Sequence, residues 1–166
     1  MDSRKESVYA ELARYRPVSW EQIPDLGLYM DQIITFITRA YEPLYGETTK
    51  SYLSAPMINN YVKNKLIPRP TGKKYGRMQI AMLIMLVSLK RVCTMDEIRE
   101  MLCVDTENDV HALYEQFCQR QVISIRQMLS LESQIAPSID CAIFASSYRA
   151  GCEALLQSEN GGKTQL

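Results

Sequence analysis

A continuous apolar run at residues 80–87 is the feature that most constrains the fold. It lies within residues 77–91, a segment of helical length whose apolar side chains fall on nearly every face. A helix that is apolar all round is stable only when other elements cover it. The run is also far shorter than the roughly 20 residues of a membrane-spanning helix. We therefore predict a central, buried helix in a protein that does not enter a membrane.

The rest of the chain is predicted to form further helices joined by short turns. Thr94 and Glu97 form a capping box, and Ser54 followed by Pro56 is typical of a helix start. The predicted helices cover residues 4–15, 28–44, 55–66, 77–91, 95–103 and 107–121, and a last helical region covers 123–157 with an interruption near Pro137. Residues 68–76, named here the basic loop, are rich in turn residues. The predicted fold class is mainly α, without strands beyond this loop.

This order of elements predicts four segments. Residues 1–46 form N-terminal helices that pack on a central module at residues 47–104. Residues 105–157 form C-terminal helices, and the apolar side chains within 139–156 make them a candidate surface for a homodimer. The polar residues 158–166 are predicted to be a disordered tail.

Charge is unevenly distributed, although the formal net charge of the chain is zero. Residues 48–95 contain nine lysines and arginines and no aspartate or glutamate. The remaining residues hold 10 basic and 19 acidic side chains. A concentrated positive surface attracts polyanions, and nucleic acid releases counterions when its phosphates are neutralised. The pattern favours a nucleic-acid partner; the alternative is a solvated basic face that pairs with acidic residues elsewhere in the fold.

The candidate DNA contacts lie on the predicted helix 55–66 and on the basic loop. Helical spacing turns the apolar side chains of that helix inward and leaves its asparagines and lysines outside. An asparagine amide can pair bidentately with adenine, whereas lysine and arginine contact phosphates. The predicted DNA-binding residues are Asn59, Asn60, Lys63, Asn64, Lys65, Arg69, Lys73, Lys74 and Arg77. The asparagines also suit a second interpretation, in which they cap or solvate the helix end.

No pattern typical of an enzyme or a metal site occurs in the sequence. The one histidine, His111, lies beside Asp109 on a polar helix, so we interpret it as a surface residue. The five cysteines lack a CxxC pair, which argues against structural zinc. Phosphate loops, nucleophile elbows and HExxH motifs are absent. We therefore predict a non-catalytic protein without a metal or cofactor and, since the N-terminus lacks an apolar signal core, a cytoplasmic location.

Residues 48–103 resemble the winged helix-turn-helix of the MerR family, in which a recognition helix is followed by a basic wing, a helix and a short capped helix. Tyr61 and residues 66–68 match the aromatic residue and the exit into the wing. Residues 73–77 are similar to the wing, and 94–102 are similar to the capped helix.

Two positions depart from the MerR pattern. Asn59 stands where a phosphate-contacting arginine is usual, and Lys65 replaces a glycine just before the wing. No effector-binding domain or metal-binding set of cysteines follows the module. The resemblance therefore implies DNA binding without implying that a ligand is sensed.

A longer stretch, residues 18–125, resembles the bacterial DUF1836 family. The resemblance is carried by residues 28–32, 57–63, 74–75 and 79–81. That family has no established biochemical activity, so this resemblance implies no more than the same MerR-like interpretation.

These observations predict a DNA-binding transcriptional regulator that reads duplex DNA with helix 55–66 and the basic loop. Readers of this kind typically bind two-fold sites, which suits a homodimer. The alternative function is a helical protein-interaction adaptor that does not bind DNA. Acidic helices such as residues 96–109 lying over the basic side chains would favour the adaptor.

Overall fold

The computed structural model describes residues 3–46, 52–104, 106–132 and 134–163. Within these ranges the chain is mainly α-helical and contains no β-strand. The helices are α1 (Ser3–Arg14), α2 (Met30–Tyr45), α3 (Ala55–Lys63), α4 (Arg77–Leu89), α5 (Met95–Met101), α6 (Glu107–Leu129) and α7 (Pro137–Lys163), and a 3₁₀ turn spans Trp20–Gln22. The expected segment boundaries near 46 and 105 adjoin residues 47–51 and 105, which lie outside the described residues. The chain divides into two compact units, Met1–Leu129 and Ser130–Leu166.

Helix α4 is the centre of the first unit. Residues 80–87 are all buried, so the prediction of a central, covered helix is confirmed. Helix α6 packs along α4, and α1 contacts both α6 and α2. The buried Tyr41 hydroxyl of α2 donates a hydrogen bond to the Ile84 carbonyl of α4 at 2.8 Å. Among the described residues, neither α4 nor any other helix has the length and hydropathy needed to cross a membrane.

The 3₁₀ turn packs on the N-terminal half of α6. The Tyr114 hydroxyl donates to the Val18 carbonyl at 2.8 Å, and the rings of Trp20 and His111 stack with their centroids 4.4 Å apart. His111, which we interpret from the sequence as a surface residue, is only partly exposed: the indole covers one face of its ring, and the side chain is 36% exposed. Burial also raises the pKa of the nearby Cys118 thiol to about 11.

Three helix boundaries and one short turn differ from the sequence prediction. Helix α3 ends at Lys63 rather than at the predicted residue 66, because Lys65 leaves the helical conformation with a positive φ. Helix α6 continues unbroken past residue 122 to Leu129, because it contains no proline or glycine to interrupt its hydrogen bonds. Helix α7 extends to Lys163, into residues 158–166 that we expected to form a disordered tail; residues 164–166 lie outside the described residues. The 3₁₀ turn is missing from the prediction because three residues are too few to show a periodicity.

The second unit consists of α7 and the residues that precede it. Arg149 and Glu153 form a salt bridge of 2.8 Å one turn apart, which supports the helix locally. The large apolar side chains that α7 exposes are Ile139, Ile143, Phe144, Tyr148 and Leu155. This helix therefore presents an unusual amount of uncovered apolar surface.

Candidate nucleic-acid interface

Helix α3 separates its apolar and polar residues between two faces. It begins after the extended Ser54, and Pro56 in its first turn needs no amide hydrogen there. The Ser54 side chain makes no capping bond. Ile58 and Tyr61 are buried, whereas Asn59 and Asn60 are exposed, as helical spacing predicts.

A Schellman motif ends α3. The Leu66 amide donates to the Tyr61 carbonyl at 2.9 Å, and the Lys65 amide donates to the Val62 carbonyl at 3.1 Å. This pattern places Lys65 in the left-handed region, with φ of 58°. Glycine adopts that conformation without strain, whereas a residue with a Cβ adopts it only at a cost. The motif keeps the C-terminal end of α3 rigid and leaves the Lys65 side chain exposed.

The basic loop is pinned at its base by backbone and side-chain bonds. Leu28 and Tyr75 exchange two backbone hydrogen bonds of 2.9 Å, and the Tyr75 side chain is buried. Gln79 of α4 accepts from the Gly76 amide at 2.7 Å and donates to the Arg69 carbonyl at 3.2 Å. One side chain thus connects the two ends of the loop, which fixes the direction in which its tip projects.

The tip of the loop is a short turn rather than a regular hairpin. An isolated bridge joins Thr71 to Lys74, and Gly72 between them has a positive φ of 65°. The exposed Lys73 and Lys74 occupy this turn, and the Lys74 ammonium lies 5.2 Å from the centroid of the Tyr29 ring. Lys73 is therefore the less constrained of the two lysines.

Arg77 is placed differently from the other predicted contacts. Its Nε donates to the Ile23 carbonyl at 2.9 Å, and a terminal nitrogen lies 3.9 Å from the Asp25 carboxylate. Its guanidinium also lies 5.9 Å from the centroid of the Trp20 ring. Arg77 is thus half-buried and joins the start of α4 to residues 23–25.

A cleft of about 420 Å³ lies between the end of α3, the basic loop and the end of α5. Lys63, Lys65 and Arg69 line it, and buried apolar side chains such as Leu66 and Leu102 form part of its wall. Helix α5 adds a further cation, Arg99, which is paired with Asp96. The structure therefore gathers three of the predicted residues around one concave, positively charged surface.

Among the described residues, no carboxylate neutralises the cations at the end of α3 and on the basic loop. In the described part of the chain, no salt bridge involves Lys63, Lys65, Arg69 or Lys73. All four side chains are exposed. Exposed, unpaired cations on a fixed backbone attract polyanions more strongly than paired ones.

The three asparagines are not equivalent. The Asn64 amide nitrogen donates to both the backbone and the side-chain oxygen of Asn60, each at 2.9 Å. These bonds engage the amide nitrogen of Asn64 and the side-chain oxygen of Asn60, two of the polar atoms through which the asparagines would pair with a base. The exposed Asn59 forms no side-chain hydrogen bond with the described residues, so its amide has both donor and acceptor available.

Aromatic rings hold the last two cations of the acid-free stretch. The Lys90 ammonium donates to the Tyr61 hydroxyl at 2.9 Å. The Arg91 guanidinium lies 4.1 Å from the Tyr45 ring centroid and 4.4 Å from that of Tyr52. Such cation–π contacts stabilise the fold and restrict these side chains. Lys50, also in this stretch, lies outside the described residues.

Arg99 is the member of this surface that the sequence analysis missed. It follows the acid-free stretch and stands among Asp96, Glu97 and Glu100, so counting charges along the chain gives no sign of it. Helical spacing offers the missing signal. Ile98 of α5 and Leu102, which caps its end, are both buried. Arg99 is one residue from the first and three from the second, so it lies at the border of the buried face.

Comparisons with known proteins add one finding to this geometry. Neither the comparison with curated proteins nor that with solved structures finds a match. A family model described as "Domain of unknown function (DUF1836)" matches residues 18–117, from just before the 3₁₀ turn to the first half of α6. The match spans more than half of the 166 residues. The chain therefore belongs to the DUF1836 family.

Proposed function

We propose that this protein is a non-catalytic, DNA-binding transcriptional regulator. The observation that carries the proposal is the group of exposed, unpaired cations on the end of α3 and on the pinned basic loop. Phosphates are the ligands that such a surface recognises best, and duplex DNA presents them in a regular array. In this proposal α3 acts as the recognition helix of the module at residues 47–104, and the basic loop acts as its wing.

Helix α3 is the recognition element of the proposal. Its nine residues correspond to a length of about 14 Å, and the major groove is roughly 12 Å wide. Asn59 faces the base edges, where its amide can pair with adenine. Lys63, Lys65, Arg69 and Lys73 contact phosphates on either side and set the register of the helix in the groove.

The test is binding to a labelled random duplex, measured by fluorescence anisotropy over a salt series. The wild-type affinity is expected to fall steeply with salt concentration. In the double variant Lys63→Gln/Lys73→Gln, the slope of log affinity against log salt should be shallower by about two. The matched control is Arg120→Gln/Arg126→Gln, which removes the same charge from exposed positions on α6 and should leave the slope unchanged.

The same measurement separates this proposal from a protein-interaction adaptor. If the folded protein fails to bind DNA even at low salt, or if both double variants change the slope equally, the proposed interface is wrong. The basic surface would then be a docking site for an acidic protein. The absence of salt bridges to Lys63, Lys65, Arg69 and Lys73 among the described residues supports DNA over the adaptor, because no acidic helix neutralises them.

We further propose that the regulator acts as a homodimer through α7. The exposed apolar side chains of this helix support the idea, because a second copy would remove them from water. Light scattering coupled to size-exclusion chromatography should give about twice the mass of one chain. Replacing Ile143 and Tyr148 by serine should shift the mass to that of a monomer, whereas replacing the polar Ser146 and Gln157 by alanine should not. A monomeric wild-type protein would exclude this part of the proposal.

A further inference from the structure

We propose that Glu21, His111 and Glu115 form a binding site for a divalent transition-metal ion of the Zn²⁺ class. Glu21 lies in the 3₁₀ turn, and the other two residues lie one helical turn apart on α6. Their ligand atoms all lie within 4.8 Å of one another. The site is separate from the proposed DNA interface, and it does not depend on that function.

The imidazole of His111 is already oriented for such a role. Its ring stacks on Trp20 with an interplanar angle of 16°, which fixes the plane in which its nitrogens lie. Its Nε2 atom is buried and has no hydrogen-bond partner among the described residues. Glu115 Oε1 lies 3.3 Å from Nε2 without completing a hydrogen bond. A buried nitrogen without a partner is costly, and a metal ion would satisfy it.

The distances agree with zinc coordination after a small movement. Zinc binds nitrogen and oxygen at about 2.0–2.2 Å, so ligand atoms in a tetrahedral site lie about 3.4 Å apart. The two ligand atoms on α6, His111 Nε2 and Glu115 Oε1, are already 3.3 Å apart. Glu21 is exposed, so a rotamer change can bring its carboxylate closer by the remaining distance, which is at most about 1.4 Å. Three protein ligands leave the fourth position to water.

The donor set favours a transition metal over Ca²⁺ or Mg²⁺. Imidazole suits zinc and its neighbours, and two carboxylates neutralise the charge of a divalent ion. The nearby positive charge of Arg77 is partly offset by Asp25, at 3.9 Å.

A bound ion would clamp the 3₁₀ turn to α6. The turn leads directly into Ile23, whose carbonyl accepts the Arg77 hydrogen bond at the start of α4. Metal binding would therefore strengthen the connection between the N-terminal part of the first unit and its centre. Stabilisation by a ligand that binds only the folded state grows with the logarithm of its concentration.

The experiment titrates the full-length protein with Zn²⁺ by calorimetry and, in parallel, with the fluorescence quencher Co²⁺. Trp20 is the single tryptophan of the chain and lies against His111, so its fluorescence reports on this site. We expect one tight site, quenching of Trp20 by Co²⁺, and a Tm that rises with Zn²⁺. Glu21→Gln and Glu115→Gln should each weaken Zn²⁺ binding at least tenfold.

The matched control is Glu107→Gln, an exposed carboxylate at the start of α6 that lies outside the site. It should bind Zn²⁺ like the wild type. The five cysteines can also bind Zn²⁺, but binding by thiols would be unaffected by Glu21→Gln. Equal affinity in wild type and Glu21→Gln, or no effect of Co²⁺ on Trp20, would therefore overturn the proposal. Circular dichroism is used to check that each variant is folded.

Discussion

Replacing Lys65 by glycine should stabilise the protein, although it removes a side chain and a charge. Lys65 has a φ of 58°, and a residue with a Cβ adopts this left-handed conformation at a cost of about 1–2 kcal/mol. Glycine relieves that cost but adds conformational entropy to the unfolded chain, which offsets about 0.5–1 kcal/mol. With the middle of each range, the net gain in the free energy of unfolding is about 0.7 kcal/mol. The backbone bonds of the Schellman motif require no side chain and remain in the variant.

Urea denaturation followed by circular dichroism at 222 nm measures this gain as a higher midpoint with an unchanged slope. The matched control is Lys65→Ala, which removes the same charge but keeps a Cβ. It should show little or no stabilisation. If both variants are equally stabilised, relief of repulsion between Lys65 and its basic neighbours explains the gain, and the reasoning from backbone strain is refuted. In the DNA assay both variants should lose affinity equally, because each lacks the same phosphate contact.

Three further results are expected. Gly27→Ala should destabilise the fold by about 2 kcal/mol or more, because φ is 72° and a Cβ would meet the Lys74 side chain at 3.1 Å. Gly72→Ala, with φ of 65° but open space around it, should lose only about 0.5–1 kcal/mol in the same urea assay, because the lower entropy of the unfolded chain offsets part of the backbone cost. Gln79→Ala should cost about 1–2 kcal/mol and make the basic loop more sensitive to limited proteolysis, whereas Gln79→Glu should keep the Gly76 bond and lose less. Burial raises the pKa of the Cys118 thiol to about 11, so this thiol should resist alkylation by iodoacetamide up to about pH 9, as measured by mass spectrometry. An alkylation rate equal to that of the exposed Cys103 would contradict the buried position of Cys118.

The helices of the first unit follow from periodicity, because burial and sequence pattern agree there. Helix α4 is found within two residues of its predicted ends, since nothing but a covered helix suits its apolar residues. The prediction fails at the end of α6. The periodicity changes near residue 122 and suggests that the helix ends there, but no proline or glycine interrupts the backbone, and the helix continues to Leu129. Tertiary packing along α4 supports the continuous helix instead.

The candidate site is only partly predictable, because charge along the chain does not determine where a side chain points. The acid-free stretch identifies Lys63 and Arg69, which share the cleft. It also includes Arg77, which bonds to a carbonyl 54 positions earlier in the chain. It misses Arg99, which reaches the cleft from α5. His111 stacks on Trp20, which lies far from it in the sequence, so no local sequence pattern reveals this contact.

The contacts of Val18 with Tyr114 and of Trp20 with His111 join the two ends of the region 18–117. Closure of the core therefore has to wait until almost all of this region has left the ribosome. Helix α4 emerges roughly 30 residues before the part of α6 that covers it, which corresponds to about 2–6 s of synthesis at about 5–20 residues per second. During this interval the most apolar segment of the chain is uncovered. The helix that holds the mature fold together is thus also its main aggregation hazard while the protein is being made.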